Sequence, residues 1–134
     1  MTEFSLKIVT PDGLKYDGMA EALTVRSITG DIGLLAGHIN CAAPLGMGQA
    51  TVVVEGVKRY AACIGGLVSV VDGKVTLLPT SFEWAEDIDL PRAERSYEKA
   101  KSVLERKDAT DTDLVLAKAR LHRALVRKSV AETK

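Results

Sequence analysis

The feature that most constrains the fold is a change of hydrophobic period near residue 90. Before it, apolar residues alternate as in β-strands, and turns containing glycine recur. After it there is no glycine, and the apolar residues fall at helical spacing. The joint between the two parts carries four acids and then Pro91-Arg92. We therefore expect a strand domain at residues 1–84 and a helical domain at residues 85–134.

The second part is predicted to be two helices. Asp89 is placed to cap the first, because its carboxylate can accept the N–H of Arg92, and Pro91 loses no hydrogen bond in a first turn. Residues 107–113 interrupt the pattern, and Thr110 with Asp113 is similar to a capping box. Helices joined by a short polar loop should lie antiparallel as a hairpin. The expected stripes are Leu90, Ala93, Tyr97, Ala100 and Leu104, then Leu114, Ala117, Leu121, Ala124 and Ala131.

The first part is predicted to be an antiparallel β-sandwich or flattened barrel of eight or more short strands. Asp72-Gly73 is its clearest hairpin signal, because both central residues of such a turn favour positive φ. We expect Thr29 to Gly33 to be a tight connection and residues 34–44 to be a loop. The strands that the residue pattern locates lie at residues 4–9, 14–16, 23–26, 50–54, 59–64, 67–71 and 74–78.

The contact between the two helices is expected to be weak. Its stripes are rich in alanine, which buries little, and each buried CH2 contributes only about 0.8 kcal/mol. Ordering a residue costs roughly 1–2 kcal/mol of backbone entropy. The hairpin should therefore need the sandwich, a ligand or another subunit to hold it in place.

Charge and composition exclude several classes of protein. The formal net charge is zero, with 18 basic and 18 acidic residues, which argues against a general nucleic-acid binder. No segment approaches the ~20 apolar residues of a membrane span. Cys41 and Cys63 lie far apart and are expected to be buried free thiols rather than a disulfide or reactive pair. His38 with Cys41 supplies two candidate metal ligands, which do not make a site.

Charge is unevenly distributed along the chain. Residues 83–89 hold four acids and no base, whereas residues 117–128 hold five bases and no acid: Lys118, Arg120, Arg123, Arg127 and Lys128. These opposite blocks can attract each other.

Three segments, in order, make the chain resemble the epsilon subunit of bacterial F-type ATP synthase over essentially its whole length. Val9-Thr10-Pro11-Asp12-Gly13 is similar to the opening strand and turn of that family. Gly30 to His38 resembles its G-x-x-G-x-L-P-G-H segment, with Ala36 where proline is usual; Asn40 also replaces a common proline. Gly65 to Val70 resembles a glycine pair before a strand.

A further motif resembles an ATP site found in some members of that family. Ile88-Asp89-Leu90-Pro91-Arg92-Ala93 is similar to I/L-D-x-x-R-A. Arg123 and Arg127 are four residues apart, so they share a helix face and can converge on one anion. The alternative is that Asp89 only caps the helix and the arginines lie in solvent. The residues that the resemblance assigns to ATP are Glu83, Ile88, Asp89, Arg92, Ala93, Lys99 (in place of arginine), Arg123 and Arg127.

The resemblance implies a rotor subunit without catalytic residues or a metal of its own. Its sandwich would dock on the gamma subunit and on the ring of c subunits, with Gly37 and His38 at that contact. Its helices would either fold on the sandwich or extend toward the alpha and beta subunits. In the extended form the bases Lys118, Arg120, Arg123, Arg127 and Lys128 would meet acidic beta-subunit surface and obstruct ATP hydrolysis. Bound ATP would favour the folded form.

The same resemblance implies a peripheral location on the cytoplasmic face of the bacterial membrane, reached through the complex. Hydrolysis at the ATP site itself is not expected, because there is no glycine-rich phosphate loop. Two alternatives stay open at this point. One is the same subunit acting only as a structural coupling element without a nucleotide site. The other is an unrelated β-sandwich ligand-binding module, for example for carbohydrate, with a dimerisation hairpin, although aromatics are only 4% of the chain.

Overall fold

Ten strands and two helices follow one another in the computed structural model, which describes residues 2–133. A short 3-10 turn, Ala85–Asp87, separates the last strand from the first helix. The strands are β1 Phe4–Thr10, β2 Gly13–Ala20, β3 Ala22–Ser27, β4 Gly30–Leu35, β5 Cys41–Pro44, β6 Met47–Val54, β7 Val57–Ile64, β8 Leu67–Val71, β9 Lys74–Leu78 and β10 Ser81–Trp84. The helices are α1 Leu90–Glu105 and α2 Asp111–Thr133.

The strands form two five-stranded sheets that pack face to face. One sheet has the order β2-β1-β9-β8-β5 and the other the order β10-β7-β6-β3-β4. Leucine, isoleucine, valine and phenylalanine side chains from both sheets fill the space between them, among them Leu6, Leu23 and Phe82. The predicted fold class, a β-sandwich followed by a helical hairpin, is confirmed. One pair departs from the antiparallel pattern, because β1 and β9 run parallel.

Two segments predicted to be irregular are strands. Thr29 to Gly33 was expected as a tight connection, but β4 begins at Gly30 and pairs with β3, with Val25 opposite Ile32. The expected loop at residues 34–44 contains the end of β4 and all of β5, which pairs with β8. Their glycines and prolines resemble turn signals, and only the pairing partners make these segments strands.

One strand, β10, was missing from the prediction altogether. It has four residues, of which Phe82 and Trp84 are buried, and it pairs with β7. A run this short carries too little alternation to be recognised without its partner. Its position matters, because it leads directly into the 3-10 turn and the helices.

Both cysteines are free thiols, but they differ in exposure. Cys63 is buried between the sheets, and burial raises the pKa of its thiol to about 12. Cys41 was also expected to be buried, yet it is only half-buried, on edge strand β5. The difference follows from position: β7, which carries Cys63, is covered on both edges, whereas β5 has one neighbour.

The two helix starts are as predicted. Asp89 Oδ1 accepts a hydrogen bond from Arg92 N at 3.1 Å, and Pro91 lies in the first turn of α1. At α2, Asp113 N donates to Thr110 Oγ1 at 3.1 Å and Thr110 N donates to Asp113 Oδ2 at 3.2 Å. Both caps are local in sequence, so they form wherever the helices lie.

The buried positions of the hairpin are small side chains. They are Ala93 and Ala100 in α1, and Ala117, Ala124, Val130 and Ala131 in α2. The C-terminal end of α2 lies against the sandwich through a small group that we call the docking cluster: Ala62, Ala85, Ile88, Val130 and Ala131. The hairpin is therefore folded on the sandwich through little apolar surface. Within residues 2–133, neither helix is long and apolar enough to span a membrane.

Candidate functional site

A cavity of about 400 Å³ lies where the sandwich meets the hairpin. We call it the hinge cavity. Its walls come from the β1–β2 turn, from β10, from the start of α1 and from α2. It is lined by Asp12, Lys15, Ser81, Phe82, Glu83, Asp87, Ile88, Asp89, Arg92, Ala93, Ser96 and Arg127.

The chain around the joint presents these side chains for local reasons. Along β10, Phe82 and Trp84 point into the core, so Glu83 between them points out of it. Ile88 is buried in the docking cluster and holds the backbone in place just before the helix. Asp89 then caps α1, which places Arg92 in its first turn and buries Ala93 on the face toward α2.

One ion pair crosses this cavity from the hairpin to the sandwich. Arg127 Nε of α2 donates to Glu83 Oε1 of β10 at 2.6 Å. The two side chains are 30% and 35% exposed, so the pair is partly shielded from water. It connects residues 44 positions apart in the chain and fixes the register of α2 on the sheet.

A second cavity, of about 440 Å³, continues along the seam between the helices. We call it the interhelix groove. Ser96 and Arg127 line both cavities, so the two adjoin. The groove is lined by Ser96, Lys99, Ala100, Val103, Arg106, Asp113, Leu116, Ala117, Arg120, Arg123 and Arg127.

The structure brings all eight residues of the predicted ATP set to these two cavities. Glu83, Ile88, Asp89, Arg92 and Ala93 line the hinge cavity. Lys99 and Arg123 line the interhelix groove, and Arg127 lines both. Within the set, the acids and the apolar side chains therefore lie in the hinge cavity, and most of the cations lie in the interhelix groove.

The other predicted contact residues lie apart from this site. Gly37 and His38 are in the connection between β4 and β5, where His38 Nδ1 is 2.9 Å from the carbonyl oxygen of Ile39. Lys118 is exposed on α2 and lines neither cavity. Lys128 lies with its Nζ 4.9 Å from the centre of the Tyr97 ring. Of the five α2 bases, only Arg120, Arg123 and Arg127 line the groove.

Several lining residues were not predicted from the sequence. Asp12 comes from the β1–β2 turn and Lys15 from the start of β2, which tertiary packing places beside the hinge: Trp84 Nε1 donates to the carbonyl oxygen of Lys15 at 3.3 Å. Ser81, Asp87 and Ser96 complete the hinge cavity, and Arg106 lies at the far end of the groove. Of these residues, only Asp87 and Ser96 could have been suggested by the sequence, because they lie within one or two helical turns of the Ile88-to-Ala93 motif.

Arg59 holds the joint between the sandwich and the helices in place. The Arg59 guanidinium carbon lies 3.8 Å from the centre of the Trp84 ring, and Arg59 Nη2 donates to Glu86 Oε1 at 2.8 Å. Trp84 also packs edge-on against Phe82. The start of the helical part is therefore anchored to β7 by a cation and an aromatic ring.

The arrangement suits the binding of an elongated anion. Cations from two helices face a common groove, and carboxylates stand at one end of it. Within the part of the chain that the structure describes, no group of three or more His, Cys, Asp or Glu side chains is placed to hold a metal ion. Cys41 Sγ lies 3.9 Å from His38 Nδ1, but this pair supplies only two candidate ligands and lies near the connection between β4 and β5.

Both parts of the chain match models of one protein family. Residues 3–85 match the model described as "ATP synthase, Delta/Epsilon chain, beta-sandwich domain". Residues 86–132 match "ATP synthase, Delta/Epsilon chain, long alpha-helix domain". The two matches follow one another along nearly the whole chain.

Bacterial relatives named "ATP synthase epsilon chain" are similar over their full length. That of Bacillus velezensis is 39% identical over 131 residues, which are 98% of each chain. That of Caldicellulosiruptor bescii is 36% identical over 132 residues, which are 98% of this chain and 96% of its own. That of Ruminococcus albus is 36% identical over 135 residues, which cover all of both chains.

Two solved structures share the fold. A chain of the Euglena gracilis mitochondrial ATP synthase, determined as OSCP/F1/c-ring, superposes with a TM-score of 0.84 at 23% identity, covering 96% of this chain and 81% of that one. A chain of the Tetrahymena thermophila mitochondrial ATP synthase central stalk and c-ring superposes with a TM-score of 0.67 at 13% identity, covering 97% of each.

Proposed function

Because the chain belongs to the delta/epsilon family of ATP synthase chains, we propose that it is a rotor subunit that restrains ATP hydrolysis through its two helices. We further propose that ATP binds across the hinge cavity and the interhelix groove and favours the folded hairpin. The subunit would couple proton transport to ATP synthesis without catalysing a reaction of its own. ATP is then a regulatory ligand, and the nucleotide chemistry takes place on other subunits.

One observation carries the ATP proposal: the site is built from three elements that come together only when the hairpin is folded. Glu83 belongs to β10, Arg92 to α1, and Arg123 and Arg127 to α2. A ligand that contacts all three elements can bind only to the folded form. By mass action such a ligand stabilises that form, by about 2.7 kcal/mol at 100 times its dissociation constant.

The residues present fit a nucleotide. The hinge cavity alone lies within the roughly 300–1,000 Å³ that small-molecule sites occupy. One oxygen of Asp89 caps α1, which leaves the second to accept the amino group of an adenine. Ile88, Phe82 and Ala93 supply apolar surface for the base. Lys99, Arg123 and Arg127 are then placed for the phosphates, with Lys99 as a point charge rather than a planar fork.

The weak seam makes such a ligand effective. Only alanines and one valine are buried on the helices, so the docking cluster contributes little hydrophobic free energy. A ligand contribution of a few kcal/mol is therefore comparable with the free energy that holds the hairpin down. Release of the hairpin would expose the α2 bases to the acidic beta-subunit surface that the family resemblance implies.

The sandwich is proposed to attach the subunit to gamma and to the c ring. The connection that holds Gly37 and His38 is remote from the ATP site, so both contacts can be made at once. Association with the cytoplasmic face of the bacterial membrane would follow from this attachment. No direct contact with lipid or nucleic acid is needed.

Calorimetric titration of the isolated chain with ATP tests the proposal. We expect saturable heat and a rise in melting temperature for the wild type, and the loss of both in Arg92→Ala and Arg123→Ala. Arg95→Ala is the matched control, because Arg95 is exposed on α1 and lines neither cavity. No heat and no thermal shift at millimolar ATP would overturn the nucleotide site and leave the rotor assignment in place.

A second candidate is the same subunit without a nucleotide site. The Glu83–Arg127 ion pair favours it, because it joins α2 to the sandwich through the chain's own side chains. The same titration separates the two. The unrelated carbohydrate-binding module is excluded by family membership, since both parts of the chain match consecutive domains of one family.

A further inference from the structure

The interhelix groove carries more cations than the predicted ATP set uses. Five bases line it: Lys99, Arg106, Arg120, Arg123 and Arg127. Arg106 and Arg120 are not in the ATP set. They lie farther from the sandwich than Lys99 and Arg123, the members of the set that line only the groove.

The positions of these two arginines follow from helix geometry. Arg120 precedes Arg123 by three residues, which is about 4.5 Å farther along α2 from the hinge cavity. Arg106 follows Lys99 by seven residues at the C-cap of α1, about 10 Å farther along the same face. Since the helices are antiparallel, both arginines extend the groove in the same direction, away from the sandwich.

These cations are available to a ligand. Among the described residues, Lys99, Arg120 and Arg123 make no side-chain hydrogen bond or ion pair. Arg106 has only a long, exposed ion pair with Asp108, with Nε and Oδ1 4.0 Å apart, which contributes little. The single acid among the residues that line the groove is Asp113, whose carboxylate is engaged by Thr110 in the capping box.

The shape of the groove selects the kind of anion. It lies between two packed helices and has an apolar floor that includes Ala100, Val103 and Ala117. Charges attract more strongly beside low-dielectric surface than in open water. A narrow row of cations of this kind matches a linear chain of charges rather than a duplex or a flat acidic surface.

We propose that the groove binds a linear phosphate chain longer than a triphosphate, with Arg120 and Arg106 holding the phosphates beyond the third. The inference rests on the proposed function, because it places the first three phosphates on Lys99, Arg123 and Arg127. The ligand is either a nucleoside 5′-tetraphosphate anchored by its base in the hinge cavity or an inorganic polyphosphate in the groove alone.

The test compares ATP, adenosine 5′-tetraphosphate, inorganic tripolyphosphate and inorganic tetrapolyphosphate by calorimetric titration of the full chain. We expect each tetraphosphate to bind at least tenfold more tightly than the matching triphosphate, as one added charge-assisted hydrogen bond allows. Arg120→Ala and Arg106→Ala should bring that ratio toward one, because each weakens the binding of the tetraphosphate more than that of the matching triphosphate. Lys118→Ala and Arg95→Ala remove the same charge outside the groove and should preserve the ratio.

The outcomes separate this inference from the proposed function. Tight ATP binding with no gain from a fourth phosphate overturns the inference alone. No heat with ATP but Arg120-dependent binding of inorganic tetrapolyphosphate overturns the nucleotide site and supports the groove. Equal losses in Lys118→Ala and Arg120→Ala, or equal competition by a single-stranded oligonucleotide, would show nonspecific attraction and overturn the inference.

Discussion

Arg127 connects the docking of the helices with the proposed anion site. It lines both cavities and donates to Glu83 across the joint. A guanidinium has five N–H donors, so Arg127 can keep its bond to Glu83 through Nε and still present Nη groups to a phosphate. In the absence of a ligand, the Glu83 carboxylate neutralises a charge that would otherwise repel Arg123, one turn away on the same face.

Glu83→Gln removes that neutralising charge while keeping the size of the side chain. Because the pair is about one-third exposed, we expect a loss of only about 0.5–1 kcal/mol in the stability of the docked hairpin. Hydrogen exchange of the C-terminal half of α2 should quicken accordingly. Asp31→Asn, which breaks the exposed ion pair with Arg26 on β3 and β4, should leave α2 unchanged. Equal exchange in wild type and Glu83→Gln would contradict this role.

Gly66 shows how a turn residue can be required for two separate reasons. Its φ is +96°, in the left-handed region that other residues adopt at a cost. A Cβ at this position would also collide with the carbonyl oxygen of Leu78 and with Pro79 Cα, which are both backbone atoms. The glycine therefore allows β8 to start directly against the end of β9.

Gly66→Ala should destabilise the sandwich by more than about 2 kcal/mol, because strain and backbone collision add. Gly73→Ala is the matched control: its φ is +77°, but a Cβ there meets open space. It should cost about 1–2 kcal/mol from conformation alone. Urea denaturation measures the difference, and equal losses in the two variants would show that the collision is relieved by movement.

Among the elements, the two helices differ from the strands in how their ends are determined. Each helix start is set by a side chain three residues from its partner, Asp89 with Arg92 and Thr110 with Asp113. The Thr110 N–H, and then its hydroxyl, hold the pKa of the Asp113 carboxyl below its ordinary value of 3.8. The cap of α2 therefore favours the ionised carboxylate.

The lowered pKa of Asp113 determines how the stabilising effect of the cap depends on pH. Because the folded-state pKa is lowered, the contribution of the cap is present above the unfolded pKa, about 4, and is lost as pH falls through the folded value. We expect wild type to lose hairpin stability as pH falls below about 5 and through the folded-state value, and Asp113→Ala to show a weaker loss over that range. Thermal unfolding followed by helical circular dichroism is the measurement.

Asp111→Ala is the control for the capping effect. Asp111 lies in the same first turn but makes no side-chain hydrogen bond among the described residues. Its variant should therefore keep the acid dependence of the wild type. A parallel loss of that dependence in both variants would assign it to the helix dipole rather than to the cap.

At the scale of the whole molecule, the sandwich and the hairpin differ in how much apolar surface holds them. The sandwich core contains fully buried Leu6, Ile8, Leu23 and Phe82, whereas the docking cluster consists of three alanines, Val130 and Ile88. Local opening requires less free energy where less apolar surface is buried. We therefore expect the hairpin to open at a lower free energy than the sandwich.

We expect amide exchange of α1 and α2 to be faster than that of β1, β6 and β7, and saturating ATP to slow exchange in the helices without changing the strands. The reason is that a ligand bound to three elements opposes only the opening that separates them. Hydrogen exchange with mass spectrometry resolves the two parts. Uniform exchange across both would mean that sandwich and hairpin unfold together.

The sequence predicted what depends on neighbours in the chain. The change of period separates strands from helices, and Asp89, Pro91, Thr110 and Asp113 act within one helical turn, so both helix starts were correct. Prediction from the sequence failed where strand pairing determines the structure: β4 is a strand because β3 lies beside it, and β10 because β7 does. Their own residues carry glycines or too few positions for a clear alternation.

The residues of the candidate site likewise fall into those that the sequence predicted and those that it did not. Motif resemblance identified eight residues that line the two cavities, but it had no means of finding Lys15, which approaches Trp84 from 69 positions away, or the direction in which Arg106 and Arg120 extend the groove. Local periodicity sets which face of an element is apolar, and the sequence by itself determined that much. Only the tertiary structure decided which charged faces meet, because those contacts join residues far apart in the sequence and depend on sheet order and helix docking.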